Sequence, residues 1–371
     1  MANEHEVTAV RPKEFKNILV ATMKYNLECG ERNAPAEDYE VPIVDGVPGI
    51  AKSALVNSAS KECGLDYGAP VLPATRDPAE LAGYLRPDPA KDAMSRYAPD
   101  WMPRNDERRN VFFDEIGQAA QSQQNVLCEP VLDRRCGGYA MSRFSTVIMA
   151  YNPVSSRAGS QAIVRQLLGR GTKYRLLSSA KDWVEWALET GIDPLVVNFI
   201  QWKGDEVLSN FDPAREINPS PRNWVSVANQ RKMGLSADLL FKAAAGRIGA
   251  GLANEFVAFE RLLSKMVHPS DIIASPTTAP VPQRQEEIFA LCSALPAHAT
   301  TKSLPALIKY CERIERREMQ VFAVRSMLAK NLRERKAAEK AGVAKDQLPT
   351  DWRMAVPEVG AWLRANQSVL L

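Results

Sequence analysis

The sequence predicts an α/β fold with a parallel sheet in its first half and helices alone after it, on three observations. Short apolar runs at residues 41–44 in "YEVPIVDG" and 111–113 in "NVFFDEI" lack polar alternation, as strands buried on both faces do. Glycine-broken, helix-compatible segments follow them, the order of βαβ units. Past residue 180, Trp183, Trp186 and Leu188, then Leu195, Val196, Phe199 and Ile200, fall mostly at helical spacing.

The first strand, carried by Val41, Ile43 and Val44, is broken at Gly46. It leads through "GVPGIAKS" into a helix that ends near Gly64, a plausible C-cap. This is G-x-x-x-x-G-K-[ST] with Ala51 in place of the second glycine. A loop of this kind wraps backbone N–H groups around phosphates and aims a helix N-terminus at the anion. Lys52 would reach the β- and γ-phosphates, and the Ser53 hydroxyl would ligate Mg²⁺. The bland alternative is an ordinary strand-to-helix turn. Alanine is harmless at position 51 if its φ is negative and strained if the loop requires positive φ.

Next comes a strand candidate at 69–75, then a polar, Pro-rich surface excursion over 76–109. The run at 111–113 stops at Asp114 and Glu115, two carboxylates at a strand's C-terminal end, where open α/β sheets bind ligands. Asp114 is placed to hold Mg²⁺ through water, and Glu115 to orient or deprotonate an attacking water. A helix over 118–132 and a Gly137-Gly138 hairpin turn follow. A β-branched strand at 144–150 then leads to Asn152, whose amide could hold that water. A helix around 161–168 and a strand at 172–178 complete this part.

Composition narrows the classes. The 371 residues suit two domains, or one with an appendage, and an apolar share of 45% supplies a sizeable core. A net charge of +3 gives no general attraction to nucleic acid or membrane. No apolar run approaches membrane-spanning length, and the N-terminus lacks a signal peptide's apolar core, so a cytoplasmic address is expected. The six cysteines form no C-x-x-C pair and read as reduced, mostly buried thiols. His5, His268 and His298 are too scattered for a protein-held metal centre or a Ser/His/Asp triad.

Taken together, "GVPGIAKS", "VFFDEI", "AYNPVSSRAG" and "PSPRNW" resemble the phosphate loop, acidic strand end and two sensors of AAA+ ATPases. "PATRDPAELAGYL", "RYAPDWMPRNDERRNVFFDEI" and "VLDRRCGGY" resemble the MoxR branch in particular, and the likeness runs from about residue 38 to 235. It implies an AAA+ P-loop core with a parallel five-stranded sheet flanked by helices, then an α-helical lid and a helical C-terminal extension. The corresponding segments are a helical lead-in over 1–37, the nucleotide-binding core over 38–180, the lid over 181–270 and the extension over 271–371. Contacts to ATP would come from Gly46, Val47, Pro48, Gly49, Ile50, Ala51, Lys52, Ser53 and Ala54, with Mg²⁺ held by Ser53 and Asp114. Glu115 would be catalytic, Asn152 the sensor and Arg222 the second sensor on the lid; an Arg222 in a plain surface ion pair is the alternative. An arginine finger acting on a neighbouring subunit matches Arg170 in "LLGRGTKYR", where Gly169 and Gly171 depart from the family pattern, so Arg165 and Arg175 stay open for that role.

The resemblance further implies a hexameric ring of identical subunits that remodels a protein client, with a separate von Willebrand A-type partner. A nucleic-acid motor is the alternative, with Arg134, Arg135 and Tyr139 lining a pore, and a weakly hydrolysing nucleotide-gated scaffold is a third reading. Helices are expected near 223–233, 237–246, 250–266, 285–295, 302–314 and 316–341, with the Pro-rich 275–287 as a linker or strap. The basic "AKNLRERKAAEKAGVAK" is interleaved with Glu334 and Glu339 and reads as a solvated helix end.

Overall fold

The computed structural model describes residues 7–156, 161–264 and 266–366. It divides into two compact units, Met1–Trp183 with Asp205–Ser226, and Val184–Gly204 with Val227–Leu371. The first unit opens with β1 (Thr8–Val10), α1 (Pro12–Glu31), β2 (Pro42–Asp45) and α2 (Lys52–Glu62). Then come α3 (Pro78–Ala82), the hairpin of β3 (Leu85–Asp88) and β4 (Ala93–Arg96), β5 (Asn110–Phe113), α4 (Gln121–Val126) and α5 (Cys128–Leu132). A second hairpin, β6 (Arg135–Cys136) with β7 (Tyr139–Ala140), precedes β8 (Thr146–Tyr151), α6 (Arg165–Gly169), β9 (Thr172–Leu176) and α7 (Ala180–Glu189). Helix α7 passes from the first unit into the second after Trp183; α8 (Pro194–Lys203) belongs to the second unit, α9 (Glu206–Ser209) to the first, and α10 (Pro221–Arg231) begins in the first.

The main sheet runs β1-β9-β2-β8-β5, parallel throughout. Period-two alternation sends Val44, Phe112 and Ile148 to the side covered by α1 and α2. Ile43, Phe113 and Met149 face the other side, with Leu127, Val131 and Leu167 of the helical segments there. Burial on both faces is why these strands read as continuous apolar runs. The fold class is the predicted one: α/β, a parallel five-stranded sheet flanked by helices, and a helical C-terminal region.

Membership of the sheet differs from the sequence reading. The candidate at 69–75 makes a single bridge, Val71 to Phe113, before a 3₁₀ turn at Pro73–Thr75, because Pro70 and Pro73 supply no N–H to a ladder. The fifth strand is β1, which pairs with β9. The excursion over 76–109 contains the β3–β4 hairpin. The helix expected over 118–132 starts at Gln121 and is interrupted at Leu127; Pro130 lacks the N–H that would continue the ladder.

In the second unit, α11 (Ala237–Ile248), α12 (Ala250–Ser264), α14 (Gln285–His298), α15 (Leu304–Cys311) and α16 (Arg317–Lys340) follow the predicted spacing closely, whereas α13 (Pro269–Ala274), α17 (Trp352–Ala355) and α18 (Pro357–Ala365) are short helices that the sequence reading does not anticipate. Phe199 meets Phe256 and Phe259 edge-on. The Pro-rich strap is tied down: Arg313 donates to the carbonyls of Pro276 and Ala279, and the Tyr310 hydroxyl donates to that of Pro280. All six cysteines are free thiols, and no helix among the described residues is long and apolar enough to cross a membrane.

Candidate active site

The C-terminal ends of β2, β5 and β8 bring the predicted residues together. From β2 the chain turns through residues 46–51 into α2, whose N-cap, Ala51, offers no side-chain oxygen to the first N–H groups. Those donors and the positive end of the helix are directed at the loop. Gly49 lies at φ +80° and Ala51 at φ +81°, both left-handed. The position does require positive φ, so Ala51 carries strain that glycine would not.

Lys52 is 7% exposed, and its Nζ donates to the carbonyl of Gly46 at 2.6 Å and to Asn152 Oδ1 at 2.7 Å. Burial lowers its pKa to about 8, opposed by the charges of Asp114, Asp45 and Glu115. The Ser53 hydroxyl donates to Asp114 Oδ2 at 2.6 Å. A hydroxyl and a carboxylate oxygen side by side are the hard donors that Mg²⁺ accepts, with water and phosphate oxygens completing its shell, so these residues fit the ion. Glu115 follows at φ +54°, and its N–H donates to Asp114 Oδ1 at 2.9 Å. Two strained non-glycine residues, Ala51 and Glu115, thus flank one small region, where strain of this kind concentrates in functional sites.

Arg222, at the start of α10, lies in the same compact unit as the sheet, whereas the sequence division places it on the lid. Its N–H donates to the carbonyl of Gly49 at 3.4 Å, and its side chain is exposed. A Cβ on Gly49 would stand 2.7 Å from Ser220 Oγ, so the loop and the residues before α10 are in close contact. Of the rest of the loop, Ile50 is buried, Val47 and Pro48 are half-buried, and Ala54 is exposed on α2.

Other assignments change. Arg134 does not line a pore: it is 8% exposed, donates to the carbonyls of Ser142 and Ser145 and to Ser145 Oγ, and lies 3.7 Å from the Tyr39 ring centre. The Tyr139 hydroxyl donates to the carbonyl of Arg96, and Arg135 donates to that of Gly138. Arg175, one of three finger candidates, is ion-paired with Asp45 of its own chain at 3.0 Å. Arg165 and Arg170 stand exposed at the two ends of α6. Gly171 serves packing, since a Cβ there would lie 2.5 Å from the Ile43 side chain. Residues 157–159 of "AYNPVSSRAG" lie outside the described residues. The residue that sequence reasoning passes over is Asp45; a carboxylate ending an apolar strand directly before the loop glycine is the available signal.

No known protein family and no curated protein sequence matches this chain. Among solved structures, a variant of RuvB from Thermotoga maritima is similar at 13% identity and a TM-score of 0.36, covering 71% of this chain and 83% of that one. A second RuvB variant from the same organism covers 95% and 92% at 12% identity and a TM-score of 0.33. An ATPase-type structure from Cytophaga hutchinsonii covers 90% and 94%, at 13% identity and a TM-score of 0.31. Likeness at this level carries no weight for function, which has to be argued from this chain's own geometry.

Proposed function

We propose that the chain is a Mg²⁺-dependent ATPase of AAA+ type. The observation that carries this reading is the convergence of Lys52, Ser53, Asp114, Glu115 and Asn152 on the ends of three adjacent strands, with Ser53 against Asp114 and Lys52 against Asn152. The residues fall into complementary roles. Backbone N–H groups of 46–54, Pro48 excepted, and the ammonium of Lys52 hold the phosphates, and Lys52 exchanges its carbonyl partners for phosphate oxygens. Ser53 and Asp114 would hold Mg²⁺, which supplies charge neutralisation on the phosphates. Glu115 accepts a proton from, or orients, the water that attacks in line; Asn152, fixed by Lys52, reports on the same space.

By resemblance, the active form is a hexameric ring in which Arg170 or Arg165 reaches a neighbour's site, with Arg222 acting within its own chain. The work is remodelling of a protein client, with a von Willebrand A-type protein as separate partner, in the manner of MoxR proteins. Burial of Arg134 removes part of the support for a nucleic-acid motor. The strained Ala51 favours, as second reading, a scaffold that binds ATP and turns it over slowly.

The test is steady-state ATP hydrolysis at rising protein concentration beside Lys52→Ala and Glu115→Gln. Specific activity climbs with concentration, Lys52→Ala abolishes binding, and Glu115→Gln keeps binding while turnover drops at least about a hundredfold. A wild type no faster than Glu115→Gln, yet binding ATP, would select the scaffold; no binding at all sinks both.

A further inference from the structure

Asp45 is 3% exposed at the end of an otherwise apolar strand, and Arg175 is its direct cross-strand neighbour in the β2–β9 register. Arg175 Nε lies 3.2 Å from Asp45 Oδ1, and its Nη2 lies 3.0 Å from Oδ2, a two-pronged pair. On the other side the register sets Asp45 beside Tyr151 of β8. Burial and the Asp45 charge raise the Tyr151 phenol to about 12, so it remains neutral there.

Adjacent residues of β9 therefore grip the start of the loop twice. Arg175 holds Asp45 through its side chain, and Leu176 closes on Gly46: a Cβ on that glycine would meet the Leu176 carbonyl at 3.3 Å and the Leu176 Cβ at 3.4 Å. The Gly46 carbonyl between them is the acceptor that Lys52 bonds most closely, at 2.6 Å.

We propose that the Asp45–Arg175 pair is a positioning element of the phosphate loop, fixing the Gly46 backbone at its start and with it the loop N–H groups that receive a nucleoside triphosphate. This rests on the ATPase reading above. It makes Arg175 a residue of its own chain's site, which excludes it as the finger for a neighbour. Removing either partner leaves the other charge or its polar substitute mismatched directly beside the loop, and a misplacement there is felt in ligand affinity.

The test is a double-mutant cycle in the full-length protein with Asp45→Asn, Arg175→Gln, both together, and Arg175→Lys, read as the dissociation constant of a fluorescent ATP analogue beside thermal melts. Each single change weakens binding about tenfold, the double is little worse than either single, and lysine restores part of the loss. A purely structural pair would lower melting temperatures and leave the affinities of the folded variants unchanged, which overturns the proposal. If Asp45→Asn fails to fold, Arg175→Lys against Arg175→Gln decides the same question. Wild type failing to bind, or binding no better than Lys52→Ala, removes the ATPase reading and this proposal with it; wild-type binding that the pair does not affect removes this proposal alone.

Discussion

The two ends of the central strands each bury a cation, and they do so differently. At the C-terminal ends, Lys52 rests on the carbonyls of Gly46 and Val47 and on the amide oxygen of Asn152. At the N-terminal ends, Arg134 is held by the carbonyls of Ser142 and Ser145, the Ser145 hydroxyl just ahead of β8, and the ring of Tyr39 just ahead of β2. Burial lowers both pKa values, Lys52 to about 8 and Arg134 to about 10. Lys52 is surrounded by acceptors that a phosphate can replace, with the carboxylates of Asp114 and Glu115 near; the partners of Arg134 are backbone carbonyls, a hydroxyl and a ring that tie the strand starts together. A buried cation is thus read by what its partners can give up, and burial alone does not separate function from structure.

The largest expected effects break that comparison if they fall the wrong way. Lys52→Ala should leave folding within about 1 kcal/mol of wild type, since a buried ammonium with substitutable partners contributes little, while nucleotide binding is lost. Arg134→Met should do the reverse, costing about 3 kcal/mol because its buried charge-assisted bonds to three acceptors at the strand starts are lost, with nucleotide affinity normal in the folded fraction. Urea unfolding and nucleotide titration on both variants check the crossing. An Arg134→Met protein of wild-type stability that binds no nucleotide would mean that the hairpin belongs to the site after all.

Legibility in the sequence divides along the same line. The loop, the carboxylates and Asn152 sit at the ends of apolar runs, and a run buried on both faces announces itself and its endpoint. Arg134 is misread from sequence because "DRRCGGY" shows a turn and four polar side chains, while the acceptors that bury the arginine come from residues 142 and 145 and the ring from residue 39. β1 escapes notice for a related reason. Three residues with two of them exposed carry no pattern, and the partner strand lies more than 160 residues away. The sign of φ at Ala51 is equally out of reach, because it is imposed by closing the loop between β2 and α2, where composition has no say.

A sharper probe within the loop compares its two left-handed positions. Gly49 has φ +80° and no space for a side chain: the added Cβ would lie 2.7 Å from Ser220 Oγ and 3.0 Å from Ser220 Cβ. Ser220 is 7% exposed and the neighbouring Arg222 N–H bonds to the Gly49 carbonyl, so the segment has little freedom to retreat. Gly49→Ala should destabilise the fold by about 2 kcal/mol, measured by urea unfolding, from backbone strain plus the contact. A neutral result would mean that the residues before α10 readily lift off the loop.

Ala51→Gly is the smallest effect and has the opposite sign. An L-residue in the left-handed region costs roughly 1–2 kcal/mol, a strain that glycine at φ +81° would not carry. Glycine also adds roughly 0.5–1 kcal/mol of unfolded-chain entropy, so the net stabilisation should be about 0.5–1 kcal/mol in a urea curve of unchanged slope. Ala51 is the N-cap of α2, and its conformation aims the N–H groups of Lys52 and Ser53 toward the loop. The gain should therefore reappear as tighter ATP-analogue binding, about two- to fivefold if strain opposes the loop's bound shape. Greater stability with unchanged affinity would place the strain in the free and bound loop alike. Slow turnover, if found in the wild type, would then have to be traced to Glu115 or to the finger arginines and not to the alanine.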